Sequence, residues 1–339
     1  MELDAGVGIA VMTIHCGCRS VFEYAFHEVD LNVILVLCGM LPISGAVSSE
    51  GARAALSQTR PISVQVTQSG GYAPRWAPSG KYILYGVFSY PKADLRLVKW
   101  PPGNSTAVTI SPPSMPTSDE AAFCPDGRMI AFTGGVREDR NVYVMDVAVA
   151  RAGASRATSS KPRKLTKGPF FSAAPSWSPD GRRIAFVSDR TGQIDIFVMD
   201  VHEGSVQRLT RHGGLYPAWS PDGRKIAFSA NGALSLMDID GGNVRRLDAG
   251  KVDADRPCWS PDGKWIAFGS TNRSPGTMTL DETLKFDPGV HIELINVKTG
   301  RRLALPGTEG GALPDWSPDG KRIAFQLSFN VWVAEVPRL

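Results

Sequence analysis

PSWSPDGRRIAF, residues 175–186, recurs almost unchanged as PAWSPDGRKIAF at 217–228, PCWSPDGKWIAF at 257–268 and PDWSPDGKRIAF at 314–325. Two weaker copies lie upstream, PRWAPSGKYILY at 74–85 and AAFCPDGRMIAF at 121–132, where Ser79 replaces the turn aspartate and Phe123 the tryptophan. Repetition at a fixed period means that each copy is one unit burying its faces only against its neighbours. The turn prolines Pro78, Pro125, Pro179, Pro221, Pro261 and Pro318 stand 47, 54, 42, 40 and 57 residues apart.

Ser-Pro-Asp-Gly is turn chemistry: Pro fixes φ, Asp bonds its own backbone, and Gly takes the left-handed conformation that closes the reversal. The Ile-Ala-Phe that follows is continuously apolar, as in a strand covered on both faces. In the best copy two further β-rich runs follow, IDIFVMDV at 194–201 and SVQRLT at 205–210. Four strands per repeat of 40 to 50 residues make one propeller blade. The expected fold is therefore all-β, a six-bladed β-propeller of four-stranded antiparallel blades. The last copy ends one strand short, and PISVQVT at 61–67 matches the missing outer strand, so an N-terminal strand is expected to close the ring and remove its open edge.

The pattern P-x-W-S-P-D-G-x-x-I-A-F, followed by D-I-F-V-M-D and R-L-T, resembles the β-propeller repeat of the TolB family over residues 61–339. The resemblance implies a periplasmic, non-catalytic scaffold that docks a protein partner, the peptidoglycan-associated lipoprotein in that family, at the mouth of the central channel. TolB proper also carries an α/β domain before its propeller, for which residues 1–60 are too few. Such propellers also resemble the lid domain of prolyl oligopeptidases.

The chain divides into a leader, 1–60, and the propeller, 61–339. LNVILVLCGMLPI, 31–43, has the length of a signal-peptide core, and GAVSS behind it offers small residues for cleavage near Ser48. The acidic stretch before it, with Arg19 its only Lys or Arg, reads as an overextended start. Export is expected, with an uncleaved hydrophobic anchor as the competing reading and no membrane span in the mature chain. A formal charge of +4 over 339 residues gives no reason to expect nucleic acid.

No catalytic residue, metal site or cofactor is expected. There is no G-x-S-x-G elbow, and His202, His212 and His291 stand singly, as residues of surface loops. The turn aspartates are explained by the turn, and the tryptophans by blade packing. Cys124 and Cys258 read as small core residues on opposite sides of the ring, too far apart for a disulfide.

Binding is expected on the loops of one face around the channel. Loops running from an outer strand to the next inner strand supply Tyr72, Phe170, Phe171 and Tyr216, with Lys167, Arg211, His212, Arg256 and Glu309 nearby. Aromatic residues with Arg are typical interface anchors; packing of these rings in the channel mouth is the alternative. Two insertions break the repeat. Residues 271–290 are expected to rise as a flap on the binding face, and 151–164 to form a mobile basic loop on the other face. The preferred function is a monomeric scaffold for a protein partner such as an envelope lipoprotein. A carbohydrate- or small-ligand-binding propeller and a propeller hydrolase or lyase are the alternatives.

Overall fold

The computed structural model describes residues 10–11, 25–26, 63–68, 70–89, 92–103, 106–112, 115, 117–136, 139–148, 158–247, 253–271 and 289–339. The chain forms two units, 1–60 and 61–339. In the first, Ala10–Val11 pairs with Ala25–Phe26; the signal-like segment 31–43 and the cleavage region lie outside the described residues.

The second unit is a six-bladed propeller. Its inner strands are Tyr72–Trp76, Ser118–Phe123, Ser172–Trp177, Leu215–Trp219, Asp253–Trp259 and Ala312–Trp316, and each begins an antiparallel sheet built outward. The ring closes as expected. Ser63–Gln65 pairs with Asn330–Glu335 as the outer strand of blade 6, in the register Trp332↔Gln65, Val333↔Val64 and Ala334↔Ser63. Buried side chains form one cluster between each pair of adjacent blades, including the pair that joins blade 6 to blade 1 through Trp76, Ile83, Ala324 and Val333.

The repeated residues explain the repeated geometry. In blade 3 the Gly181 amide donates to Ser178 O at 2.9 Å, and Gly181 sits at φ 69°. The buried Ser178 hydroxyl donates to Asp180 at 2.5 Å and accepts from the Arg183 amide at 2.9 Å, while the Arg182 amide donates to Asp180 at 3.0 Å. The Ser178 hydroxyl and that amide hold the Asp180 carboxyl below its usual range. The R-L-T and D-I-F motifs are one joint: the Thr210 hydroxyl donates to Asp195 and accepts from the Ile196 amide, each at 2.9 Å. Thr166 with Asn141, and Thr67 with Asn330, repeat it in blades 2 and 6.

Three details refine the sequence reading. The stretch 151–164 is not all loop: Thr158–Ser159 and Arg163–Lys164 both pair with Asn141–Ala148, because the edge of that strand needs partners for its backbone groups; residues 151–157 lie outside the described residues. His291, expected in a loop, lies in the third strand of blade 5, its Nε2 3.1 Å from Glu293. The 271–290 insertion does join the second and third strands of blade 5, Trp265–Thr271 and Val290–Asn296, but 272–288 lie outside the described residues. Cys124 and Cys258 are buried and free.

Candidate functional site at the channel mouth

Each inner strand carries the same irregularity. The ladder to its neighbour shifts register between the fourth and the first residue before the aromatic that ends the strand, in all six blades. The third residue before that aromatic is left-handed in every case: Ala73, Glu120, Ala174, Tyr216, Arg256 and Leu313, with φ between 46° and 56°. Left-handed backbone costs a non-glycine residue about 1–2 kcal/mol, and a bulge re-aims its side chain. The proline that follows in five blades suits the bulge, since it has no amide to offer the ladder.

Glu120, Ala174, Tyr216 and Arg256 thereby line a central cavity of about 280 Å³ with Arg75 and Asp315. Blades 2 and 5 face each other across the six-membered ring, yet Arg256 Nη2 of blade 5 lies 2.9 Å from Glu120 Oε1 of blade 2. This ion pair is a bar across the channel. The Arg256 guanidinium also lies 4.1 Å from the centre of the Tyr216 ring. On the other side, Thr133 Oγ1 donates to Glu120 Oε2 at 3.2 Å, and Arg140 lies 4.0 Å from that oxygen while bonding Asp119. Arg140 in turn sits 5.8 Å above the Phe171 ring.

Burial alone would raise the Glu120 carboxyl, but Arg256 and Arg140 hold it below its usual range. Asp119 goes the other way: burial and the Glu120 charge push it up to about 7, against the pull of Arg140. Burial pushes the Tyr216 hydroxyl up to about 12. A second pair joins neighbouring blades, Arg75 Nη1 with Asp315 Oδ1 at 3.5 Å, and the Trp76 amide donates to Asp315 Oδ2 at 2.7 Å. Burial still carries the Asp315 carboxyl up to about 6.

Of the residues singled out from the sequence, Tyr216 and Arg256 come into direct contact. Tyr72 is buried at the same end and stacks on the exposed Phe88 ring, centroids 4.2 Å apart. Gly86 makes this possible, because a Cβ there would lie 2.5 Å from the Tyr72 ring. Phe171 is half-buried beneath Arg140. Lys167, Phe170, Arg211, His212 and Glu309 are exposed on loops and are not brought into contact with the buried group. The His212 loop is held from below, since the Gly213 amide donates to the fully buried Asp195 and Gln193 bonds Arg211 O. Sequence reading missed Asp119, Glu120, Arg140, Arg75 and Asp315. For Glu120, Arg75 and Asp315 the signal was the strand phase: an ionisable residue one or three positions before the inner-strand aromatic, as in the Glu of DEAAF, PRW and PDW, faces the axis.

A model of the TolB beta propeller domain matches residues 59–283, two-thirds of the sequence. The chain belongs to the TolB β-propeller family. An uncharacterized protein of Agrobacterium fabrum is 34% identical over 186 residues, covering 50% of this chain and 59% of its own length. A TolB homolog of Chlorobium luteolum is 28% identical over 193 residues, covering 56% of this chain and 37% of its own. The chain thus spans little more than half, or less, of the length of these relatives. Among solved structures, a TolB-type protein from Agrobacterium tumefaciens superposes with a TM-score of 0.62 at 23% identity, over 81% of this chain and 97% of the other. An oligogalacturonate lyase in complex with manganese gives 0.51 at 13% identity, over 81% and 93%, a likeness of fold. Among the described residues of this TolB-family propeller, no three His, Cys, Asp or Glu side chains converge as a metal site.

Proposed function

We propose that this propeller is a non-catalytic scaffold, exported from the cytoplasm through its 1–60 leader, that docks a protein partner on the loop face around the channel mouth. The observation that carries it is the barred channel. Glu120 and Arg256 satisfy each other across the axis at 2.9 Å, so they act as a rigid, neutralised floor. Above that floor the variable loops present Phe170, Lys167, Arg211, His212 and Glu309 to solvent. A floor of paired charges beneath aromatic and cationic loop residues suits a protein surface that buries aromatics centrally and keeps charges at its rim.

The test uses exposed residues, so that loss of binding is not loss of fold. Immobilised full-length protein and a Phe170→Ser, Arg211→Glu, His212→Ser variant are compared for capture of proteins from cell-envelope extract, with melting temperature as the fold control. Capture of a discrete protein by the parent and not by the variant is the expected result. Equal capture by both overturns the assignment of the face. No captured protein, together with a thermal shift on adding acidic oligosaccharides, replaces the scaffold by a glycan-binding propeller. N-terminal sequencing of the exported protein tests the leader; a start near Ser48 or Glu50 is expected.

A further inference from the structure

We propose that the central cavity is a second binding site, open on the face of the six Pro-Gly turns, and that it takes one end of a neutral saccharide. The Glu120–Arg256 bar divides the channel. Tyr72, Asp119 and Arg140 stand on the loop side of the bar, and none of them lines the cavity. Its walls run the other way, from the bar along the inner strands to the exposed turn prolines Pro78, Pro125 and Pro221. The cavity is therefore a blind funnel, closed at its base by the bar and reached from the turn face. It is separate from the loop face that docks the partner, so the two readings stand or fall independently.

The wall is built by the residue before each inner-strand aromatic. Four blades supply the small residues Ala122, Ser176, Ala218 and Cys258, while blades 1 and 6 supply Arg75 and Asp315. Arg75 Nη1 lies 3.5 Å from Asp315 Oδ1, and the two side chains remain 26% and 19% exposed. They offer a donor and an acceptor side by side, which two adjacent hydroxyls on one ring can match. The formal charges of Arg75, Arg256, Glu120 and Asp315 cancel, so the cavity does not call for an ion. Neither does the face around it, which carries cations in its turns but Asp200, Glu203, Asp238 and Asp240 in its outer loops.

A second observation points to the ligand's chemistry: the wall has donors in excess. Trp259 Nε1 donates to Ala218 O at 3.1 Å. The buried indole N–H groups of Trp76, Trp177, Trp219 and Trp316, which line the same cavity, have no acceptor, nor has Nε of the buried Arg256. A buried donor without an acceptor is costly. Hydroxyl oxygens, each with two lone pairs, are suited to relieve it, and each still has a proton to give to Asp315. The proline rings, with the half-buried Phe123 and Trp259 from opposite blades, supply apolar faces for the C–H face of a sugar ring. Few polar groups set in apolar walls make a ligand pocket. At about 280 Å³ the cavity lies just below the range of about 300–1,000 Å³ that takes drug-sized molecules, which suits one or two sugar rings.

Full-length protein is titrated with glucose, galactose, mannose, N-acetylglucosamine, cellobiose, lactose and chitobiose, and with sodium acetate and citrate. The readouts are tryptophan fluorescence and calorimetry. Ser176→Phe, which fills the funnel from its wall, and Arg75→Met, which removes the polar pair, are run beside it with melting temperature as the fold control. The Phe170→Ser, Arg211→Glu, His212→Ser variant serves as the control for the loop face. The expected result is saturable binding of at least one sugar with Kd of about 1 mM or below, weakened at least about tenfold in Ser176→Phe and in Arg75→Met and unchanged in the loop-face variant. No saturation by any sugar of the set, or unaltered affinity in a folded Ser176→Phe protein, overturns the proposal. Loss of sugar binding in the loop-face variant places the site on the wrong side of the bar and also overturns it. Saturation by acetate or citrate without a sugar response assigns the cavity to an anion instead, with the same consequence.

Discussion

Replacing Arg256 by Met tests the channel bar directly. Arg256 is 7% exposed, and its partner Glu120 has a side chain 10% exposed. Removing one member of a buried ion pair costs about 3–5 kcal/mol, because the remaining charge stays out of water. Here Glu120 keeps Thr133 at 3.2 Å and Arg140 at 4.0 Å, which places the loss at the low end, about 3 kcal/mol. For a propeller spanning 61–339 each kcal/mol lowers Tm by about 2 °C, so a drop of about 5–6 °C is expected. Urea unfolding measures the same loss without heating. The double variant Arg256→Met, Glu120→Gln removes both charges and is expected to be more stable than the single, to within about 1 kcal/mol of the parent. A single-variant loss below about 1 kcal/mol, or a double variant as unstable as the sum of its singles, would refute a coupled bar spanning the ring.

Asp315 predicts a pH dependence. Its carboxyl stands at about 6 in the fold and near 3.9 when unfolded. The folded state keeps a proton that the unfolded chain releases between those values. Stability from this group therefore falls as pH rises from about 4 to about 6, on the order of 2 kcal/mol, and Asp315→Asn flattens that part of the curve in urea titrations at several pH values. Deleting residues 1–67 strips the outer strand from blade 6; Tm is expected to fall by more than about 10 °C, and an unchanged Tm would remove the closing role of Ser63–Gln65. Asp195→Ala leaves Arg208, Thr210 and the Gly213 amide without their shared acceptor and should cost about 3 kcal/mol in urea unfolding. Asp195→Asn should cost less than half of that, since Asn141 and Asn330 serve the equivalent Thr in blades 2 and 6. Gly86→Ala pushes Tyr72 off Phe88; near-ultraviolet circular dichroism should lose aromatic signal in the folded variant, and an unaltered spectrum would contradict the packing.

The repeat made the blades legible because its residues act locally. Ser178, Asp180 and Gly181 satisfy one another within six residues, and Ile184, Ala185 and Phe186 are apolar because both faces of that strand are covered. Those requirements are written afresh in each copy, and the missing last strand could be matched to residues 61–67 by pattern alone. The channel was not legible in the same way. Tyr216 and Arg256 were picked out as loop residues of aromatic and cationic type, and the left-handed bulges that bury Arg256 and half-bury Tyr216 left no mark in composition. His291 carried no sign of the strand that holds it beside Glu293.

The sequence by itself determined six hairpin-bearing sheets and the strand that seals them, since turn closure and strand covering depend on neighbours a few residues apart or on a motif repeated at a regular period. Only the tertiary structure decided that Glu120 and Arg256, 136 residues apart, meet across the axis. Their contact follows from the closure of the ring, which brings opposite blades to a common centre, and no repeat unit read alone contains that distance.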